Sequence, residues 1–227
     1  MSDIRTERSA ARTKDRSYGQ YCPIAAGLDV IGDRWVLLIC RELSFGDRRF
    51  TDLRAALPGI APNLLTDRLR ALQAAGLVDT VELPPPAART VYRLTLDGRA
   101  VIPVLRAMAR FGVQFLDDEP TDSFDAARAA SALLLPWSRP SEPAFTMRLE
   151  LSPVTPDGST SVAVVRVSAN EVGLGHADDG GAVDVVMRTD AATLVAARQD
   201  GGRFRGAMTG SAAMRRRVLE AFQLLPR

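Results

Sequence analysis

The chain is poor in the residues that most enzymes and metal proteins rely on. Its 227 residues include one histidine, His176, two cysteines, Cys22 and Cys40, and a single lysine, Lys14. One histidine leaves no material for a histidine-rich metal site, and a Ser-His-Asp triad could be built only around it. His176 stands between Gly175 and Ala177-Asp178-Asp179 and reads as a loop residue. No catalytic residue, metal site or cofactor is expected, and the chain does not read as an enzyme. Two cysteines cannot make a disulfide scaffold. Long apolar runs are missing too: stretches such as Trp35–Cys40 fall far short of the ~18 residues a membrane span needs. The opening MSDIRTERSAARTKDRS carries basic groups with no apolar run behind them, so no signal peptide is expected. The expected location is the cytosol, without a membrane partner.

What is present is ordinary for a globular chain. Hydrophobic residues make up 46% and charged residues 25%, which excludes wholesale disorder. The net charge of +2 excludes a polycation or an acidic tail protein. With one lysine among 29 basic residues and much alanine, the arginines look like the coding bias of a GC-rich genome. An arginine here is therefore not, by itself, a sign of phosphate contact.

The length allows one large domain or two small ones, and the periodicity divides it. Residues 1–20 are polar and read as a flexible arm. From Tyr21 to Leu116 apolar residues recur at helical spacing. DDEPTDS (117–123) reads as a linker, and a short helix, Phe124–Leu135, capped by Asp122 or Ser123, should follow. Beyond Pro143 the period changes to two: Phe145, Met147, Leu149 and Leu151 alternate with polar residues. Ser161–Ser168 and Ala182–Thr189 are further strands. A helix opened by Asp190, a strand over Arg203–Met208 and a helix opened by Ser211 complete the pattern. The expectation is an α+β protein with three parts: an arm (1–20), a mostly helical front domain (21–118) and a rear domain (119–227) with a mainly antiparallel sheet.

In the front part, helices are expected over Pro23–Ile31, Asp33–Leu43 (with Asp33 as N-cap), Arg49–Leu57 and Pro62–Ala75. Pro62 suits a first helical turn. Leu65, Leu69 and Leu72 form a buried stripe, Asn63, Thr66, Asp67, Arg70 and Gln73 face outward, and Gly76 closes the helix. Two short helices joined by PGIA (58–61), the second amphipathic, make a helix-turn-helix pattern. In that geometry the second helix enters the major groove of duplex DNA. Leu77–Leu83 and Thr90–Leu96, joined across PPPAA (84–88), add a β-ribbon, and the unit becomes a winged helix. A longer helix, Gly98–Phe115, should follow.

Residues 21–116 resemble the HxlR-type winged-helix transcriptional regulators. The residues that carry the likeness are Tyr21-Cys22-Pro23-Ile24, Gly32-Asp33-Arg34-Trp35, Arg49-Phe50-Thr51-Asp52-Leu53, Leu57-Pro58-Gly59-Ile60, Leu65-Thr66-Asp67-Arg68-Leu69, Ala75-Gly76-Leu77-Val78 and Tyr92-Arg93-Leu94-Thr95. The resemblance implies a homodimer on near-palindromic operator DNA. The chain departs from the pattern in a wing tip without a basic residue, in Phe111-Gly112 where Trp-Gly is common, and in carrying a second domain.

The candidate DNA contacts are Arg48, Arg49, Pro62, Asn63, Thr66, Arg68, Arg70 and Arg89. Arg49 opens a helix whose free N–H groups also suit phosphate, and Arg48 and Arg89 are further phosphate candidates. Asparagine suits adenine and arginine suits guanine, which points to Asn63 and Arg70 as base readers. Arg68 flanks that face and is equally suited to pairing with an acid inside the domain. Some members of the family sense oxidants through a cysteine at the position of Cys22, so a thiol switch is one alternative reading. Cys40 reads as core.

The rear part resembles the sterol-carrier-protein type fold. The likeness rests on the alternating strands, on DVVMRTDAATLVAAR (184–198) and on RFRGAMTGSAAMRRRVLEAFQLL (203–225). That resemblance implies an apolar tunnel for a small lipophilic effector, lined by Phe145, Met147, Val185, Met187, Leu194, Met208, Met214 and Phe222. These same residues also read as a plain core. A further alternative is a lipid-binding or hydrolytic module whose winged helix serves protein interaction.

Overall fold

The computed structural model describes residues 17–83, 89–116, 125–152, 160–170, 172–175, 182–199 and 203–225. The arm as far as residue 16, the wing tip 84–88, the linker 117–123 with Phe124, and His176 lie outside the described residues. The chain divides into two compact units, Met1–Leu105 and Arg106–Arg227.

The first unit is a winged helix. It is built from α1 (Pro23–Ile31), α2 (Val36–Leu43), α3 (Phe50–Ala56), α4 (Pro62–Ala74), β1 (Val78–Leu83) and β2 (Arg89–Leu94). Ile39, Leu53, Leu65 and Leu69 are essentially inaccessible to solvent and close its core. α2 begins a turn later than its sequence pattern indicates. The Asp33 carboxylate pairs with Arg68 at 2.9 Å instead of capping the helix, and Trp35 takes a left-handed φ of 80° as the N-cap. The helix is thereby turned so that Leu38 is exposed while Val36, Ile39, Cys40 and Leu43 are buried.

α3 and α4 are the two arms of the helix-turn-helix. The Arg49 N–H donates to Asp52 Oδ2 at 3.0 Å and starts α3. Arg48 exchanges both backbone hydrogen bonds with Tyr92, at 3.0 and 2.7 Å, which ties the approach to α3 to the wing. α4 ends in a Schellman motif. Gly76 has φ +73°, and the Leu77 and Gly76 N–H groups donate to Leu72 O and Gln73 O, both at 2.9 Å. The strands pair antiparallel, with Val78 opposite Leu94 and Leu83 opposite Arg89. Gly98 passes so close to the ribbon that a Cβ there would lie 1.9 Å from Leu77 O.

The expected long helix is three pieces: a 3-10 turn (Gly98–Val101), α5 (Ile102–Gly112) and a second 3-10 turn (Val113–Phe115). α5 buries no residue. It leaves Met108 and Phe111 exposed, with Phe115 beyond it.

The second unit has two layers, a sheet and a cover of helices. Its elements are α6 (Ala126–Ala129), a π-helical turn (Ala130–Leu134), a 3-10 turn (Leu135–Trp137), β3 (Phe145–Leu151), β4 (Ser161–Val167), β5 (Val172–Gly175), β6 (Val185–Thr189), α7 (Ala191–Gln199), β7 (Ala207–Thr209) and α8 (Ala212–Ala221). The sheet order is β5-β4-β3-β6-β7. Only β3 and β6 among the described strands run parallel, so the sheet is mainly antiparallel. Asp125 caps α6, its Oδ1 accepting from the Arg128 N–H at 2.8 Å. Asp190 and Ser211 cap α7 and α8 in the same way. One face of the sheet, with Phe145, Met147 and Leu149, packs against the helices. Arg148, Arg166 and Arg188 are exposed on the other face, where Glu150 pairs with Arg148 and Arg188 at 3.2 and 2.7 Å.

Candidate nucleic-acid interface

The outward side of α4 is set by the burial of its inward side. Leu65, Leu69 and Leu72 are sealed in the core, so residues four apart and three apart on the opposite side form one stripe. Asn63, Asp67 and Arg70 occupy it and are exposed. Pro62 opens the helix, exposed at N1. The Thr66 hydroxyl is turned back and donates to Pro62 O at 3.0 Å.

The arginines divide by what holds them. Arg70 is 75% exposed and has a loose contact, 4.0 Å, with Asp67. Arg49 is exposed at the start of α3. Arg68 is only 15% exposed, and its Nη1 lies 2.9 Å from Asp33 Oδ2; it joins α4 to the turn before α2. Arg48 is half-buried, and its Nε donates to Glu42 O at 3.4 Å. Arg93 on β2 is bound to Asp47 at 2.5 Å, and this neighbour holds its guanidinium above the usual arginine range. Arg89 stands at the first position of β2, and its side chain lies outside the described residues. The structure thus places Pro62, Asn63, Thr66 and Arg70 on α4 and Arg49 at the start of α3, and gives Arg48 and Arg68 partners within the fold. Asp67, in the middle of the stripe, belongs to this surface as well. Its position four residues after Asn63 is the signal that identifies it.

The two cysteines differ sharply. Cys22 is half-exposed at the N-cap of α1. Cys40 is wholly buried in α2, and burial pushes its thiol up to about 11.

In the second unit Phe145, Met147, Val185, Met187, Leu194 and Phe222 are all buried within one apolar cluster, and the half-buried Met208 and Met214 pack against it. Phe145 and Phe222 meet edge to face at 6.3 Å. A groove of about 390 Å³ borders Phe145, Thr146, Arg166, Leu174 and Asp184.

Among the described residues no group of three or more metal-ligating side chains occurs. None of the described helices is long and apolar enough to cross a membrane.

Comparison with known proteins adds to this geometry. Residues 30–120 match the family described as HxlR-like helix-turn-helix. The chain is 40% identical over 101 residues to the uncharacterized HTH-type transcriptional regulator sll1512 of a Synechocystis species, covering 44% of this chain and 75% of that one. It is 32% identical over 99 residues to the uncharacterized HTH-type transcriptional regulator YvaP of Bacillus subtilis, covering 43% of this chain and 92% of that one. Among solved structures, the reduced form of the transcriptional regulator YodB from B. subtilis aligns with a TM-score of 0.38 and 28% identity, over 44% of this chain and all of that one.

Proposed function

The chain belongs to the HxlR-like helix-turn-helix family of transcriptional regulators, and from that premise we propose that it binds operator DNA as a homodimer whose affinity responds to a small lipophilic effector. The observation that carries the DNA contact is the outward stripe of α4, together with the exposed Arg49 at the start of α3: exposed polar groups on a winged-helix frame, with little to do inside it. Arg49 grips phosphate, and Asn63 and Arg70 read bases. Pro62 and Thr66 lie at the groove wall. Arg48 and Arg68 stand behind this surface, held to Glu42 O and Asp33 within the fold, and Arg89 at the start of β2 is a further phosphate contact.

The pairing of two copies is supported by apolar side chains left in water. Ile24 and Leu28 on α1, preceded by Tyr18 and Tyr21, are exposed, as are Met108, Phe111 and Phe115 at α5. Exposed apolar surface on a helix marks a partner site. The functional parts then run as an arm (1–20), a DNA-binding part (21–118) and an effector part (119–227).

The effector part is read as sterol-carrier-like. Support comes from its element order: a helix capped by Asp190 directly after β6, a short strand between Gly206 and Gly210, and a terminal amphipathic helix. The cluster of Phe145, Met147, Val185, Met187, Leu194, Met208, Met214 and Phe222 is the proposed ligand wall. Its methionines can re-pack around a guest, and a surface groove borders Phe145. A ligand there shifts operator affinity only by preferring one conformer over another.

Selection of duplexes from a random pool by the purified full chain tests the reading. A dyad-symmetric motif should be enriched, with half-sites about 34–36 Å apart. No enrichment over the starting pool, or a single asymmetric site bound by one copy, overturns it. Mass spectrometry of the purified protein should reveal a lipophilic molecule whose removal alters duplex affinity; a protein free of any such molecule and indifferent to added lipids overturns the effector part alone.

A thiol switch is the second reading, favoured by one observation: Cys22 is half-exposed at the start of α1, between Tyr21 and the exposed Ile24. Peroxide should then weaken duplex binding by the wild type and leave Cys22→Ser unaffected.

A further inference from the structure

We infer that Asp67 is a specificity residue: its carboxylate accepts a hydrogen bond from the exocyclic amino group of a cytosine in the major groove, next to a guanine held by Arg70. The inference rests on the reading of α4 as the helix that enters DNA, and it names what one part of that helix recognises.

Asp67 has no structural task that would explain it. Its side chain is 63% exposed, and its ion pair among the described residues is the 4.0 Å approach of Arg70. An exposed pair of that kind adds almost nothing to stability. The neighbouring polar groups are occupied elsewhere: Thr66 bonds to Pro62 O and Arg68 to Asp33. The outward stripe over the first turns of α4 is therefore Asn63, Asp67 and Arg70.

A carboxylate in the middle of such a stripe is unfavourable against any phosphate, because like charges repel. It is tolerated only where a donor faces it. In the major groove the donors on base edges are cytosine N4 and adenine N6; guanine offers N7 and O6, and thymine O4, all acceptors. Adenine also places its N7 acceptor beside the amino group, which suits an amide such as Asn63 and repels a carboxylate. Cytosine is left for Asp67. The spacing agrees. Asp67 Oδ1 and Arg70 Nη1 are 4.0 Å apart, close to the ~3.4 Å rise between stacked bases, so the two side chains can reach successive base pairs. Pairing the acid with the arginine also favours guanine beside the cytosine, because the arginine offsets the charge of its neighbour.

The test uses the full chain and a duplex chosen by selection. Wild type should lose roughly tenfold to a hundredfold in affinity when the cytosine facing Asp67 becomes thymine. It should lose as much with N4-methylcytosine, which keeps its Watson–Crick pairing but replaces the groove-facing N–H by a methyl group. Asp67→Ala should bind cytosine, thymine and N4-methylcytosine alike at that position, and should bind unrelated duplex a few-fold more tightly at low salt. Asp67→Asn should move the preference toward adenine. The inference is overturned if Asp67→Ala keeps the wild-type preference at every position. It is overturned equally if that variant weakens binding to all duplexes alike, or loosens only the guanine preference, which would make Asp67 a support for Arg70. Those outcomes leave DNA binding by α4 intact. A wild-type chain that enriches no duplex overturns the DNA-binding reading and this inference together.

Discussion

The two units use their polar side chains in opposite directions. On the helix-turn-helix, Asn63, Asp67 and Arg70 point into water, and Arg49 is exposed at the start of α3. In the rear unit the conspicuous arginine faces inward. Arg198 donates from Nε to Leu133 O at 2.5 Å and from Nη1 to Phe222 O at 3.0 Å and to Gln223 O at 3.4 Å. Its guanidinium lies 4.4 Å from the centre of the Trp137 ring. Burial pulls it below the usual arginine range. It satisfies carbonyls at helix ends that would otherwise be orphaned. Gln223 does the same for Trp137 O, and Gln199 adds a second donor to Val113 O, which also accepts from the Leu116 N–H. A polar residue that closes the fold on itself is framework; one that the fold leaves unused is a candidate for a partner. That contrast separates Arg70 from Arg68 on a single helix, and the front surface from the rear framework.

The contrast can be broken by substitution. Arg198→Met leaves the three carbonyls without their donor and should lower unfolding stability by about 3 kcal/mol, at ~1 kcal/mol or more for each. Urea unfolding measures it, and a loss below ~0.5 kcal/mol would put Arg198 with the surface arginines instead. Next in size is a pH effect in the front core. The Cys40 thiol ionises near 9.0 in the unfolded chain and about 11 when folded. The folded protein keeps a proton that the unfolded chain has released. This contribution is complete below pH 9 and is lost as pH rises through 11, for roughly 2–3 kcal/mol in all. Unfolding curves from pH 8 to 11 should show a decline that Cys40→Ala removes.

The surface residues should behave in the reverse manner, with little change in stability and a loss of binding. Arg70→Ala should cost about 1–3 kcal/mol on the selected duplex and relax preference at one position. Arg49→Ala should weaken all duplexes alike and reduce the salt dependence of log affinity by about 1. Equal behaviour of the two variants would erase the distinction between base reader and phosphate contact. The smallest expected effect is that of Cys22→Ser, within about 0.5 kcal/mol in stability. In thiol titration of the native protein Cys22 should react, while Cys40 waits for unfolding.

Much of this architecture is legible in the chain itself, because helix periodicity and caps are local signals. Leu65, Leu69, Leu72 and Gly76 mark α4 without any knowledge of the rest, and Asp190 and Ser211 mark α7 and α8. Long-range pairing is harder to read. Asp33 looks like an N-cap until Arg68, 35 residues later, takes its carboxylate. Strand β5, Val172–Gly175, has glycine at every second position and no alternation of apolar and polar residues, so only its partner β4 reveals it. The role of Arg198 depends on carbonyls contributed by segments far from it in sequence. At the candidate site, helical spacing and residue type identified Asn63, Asp67 and Arg70 as outward, while the occupation of Arg48 and Arg68 by partners within the fold emerged only with the structure. In the rear, alternation cannot tell a ligand wall from a core, because both require the same apolar side chains.

The outer face of α4, with Arg49, is the part of the molecule proposed to hold DNA. This role is tested most directly by replacing Arg49, Asn63 and Arg70 together with alanine and following duplex affinity and thermal unfolding in the same samples. The expected result is a fold as stable as the wild type to within about 1 kcal/mol and an affinity for the selected duplex reduced at least ~100-fold. A triple variant that binds that duplex as tightly as the wild type would contradict it.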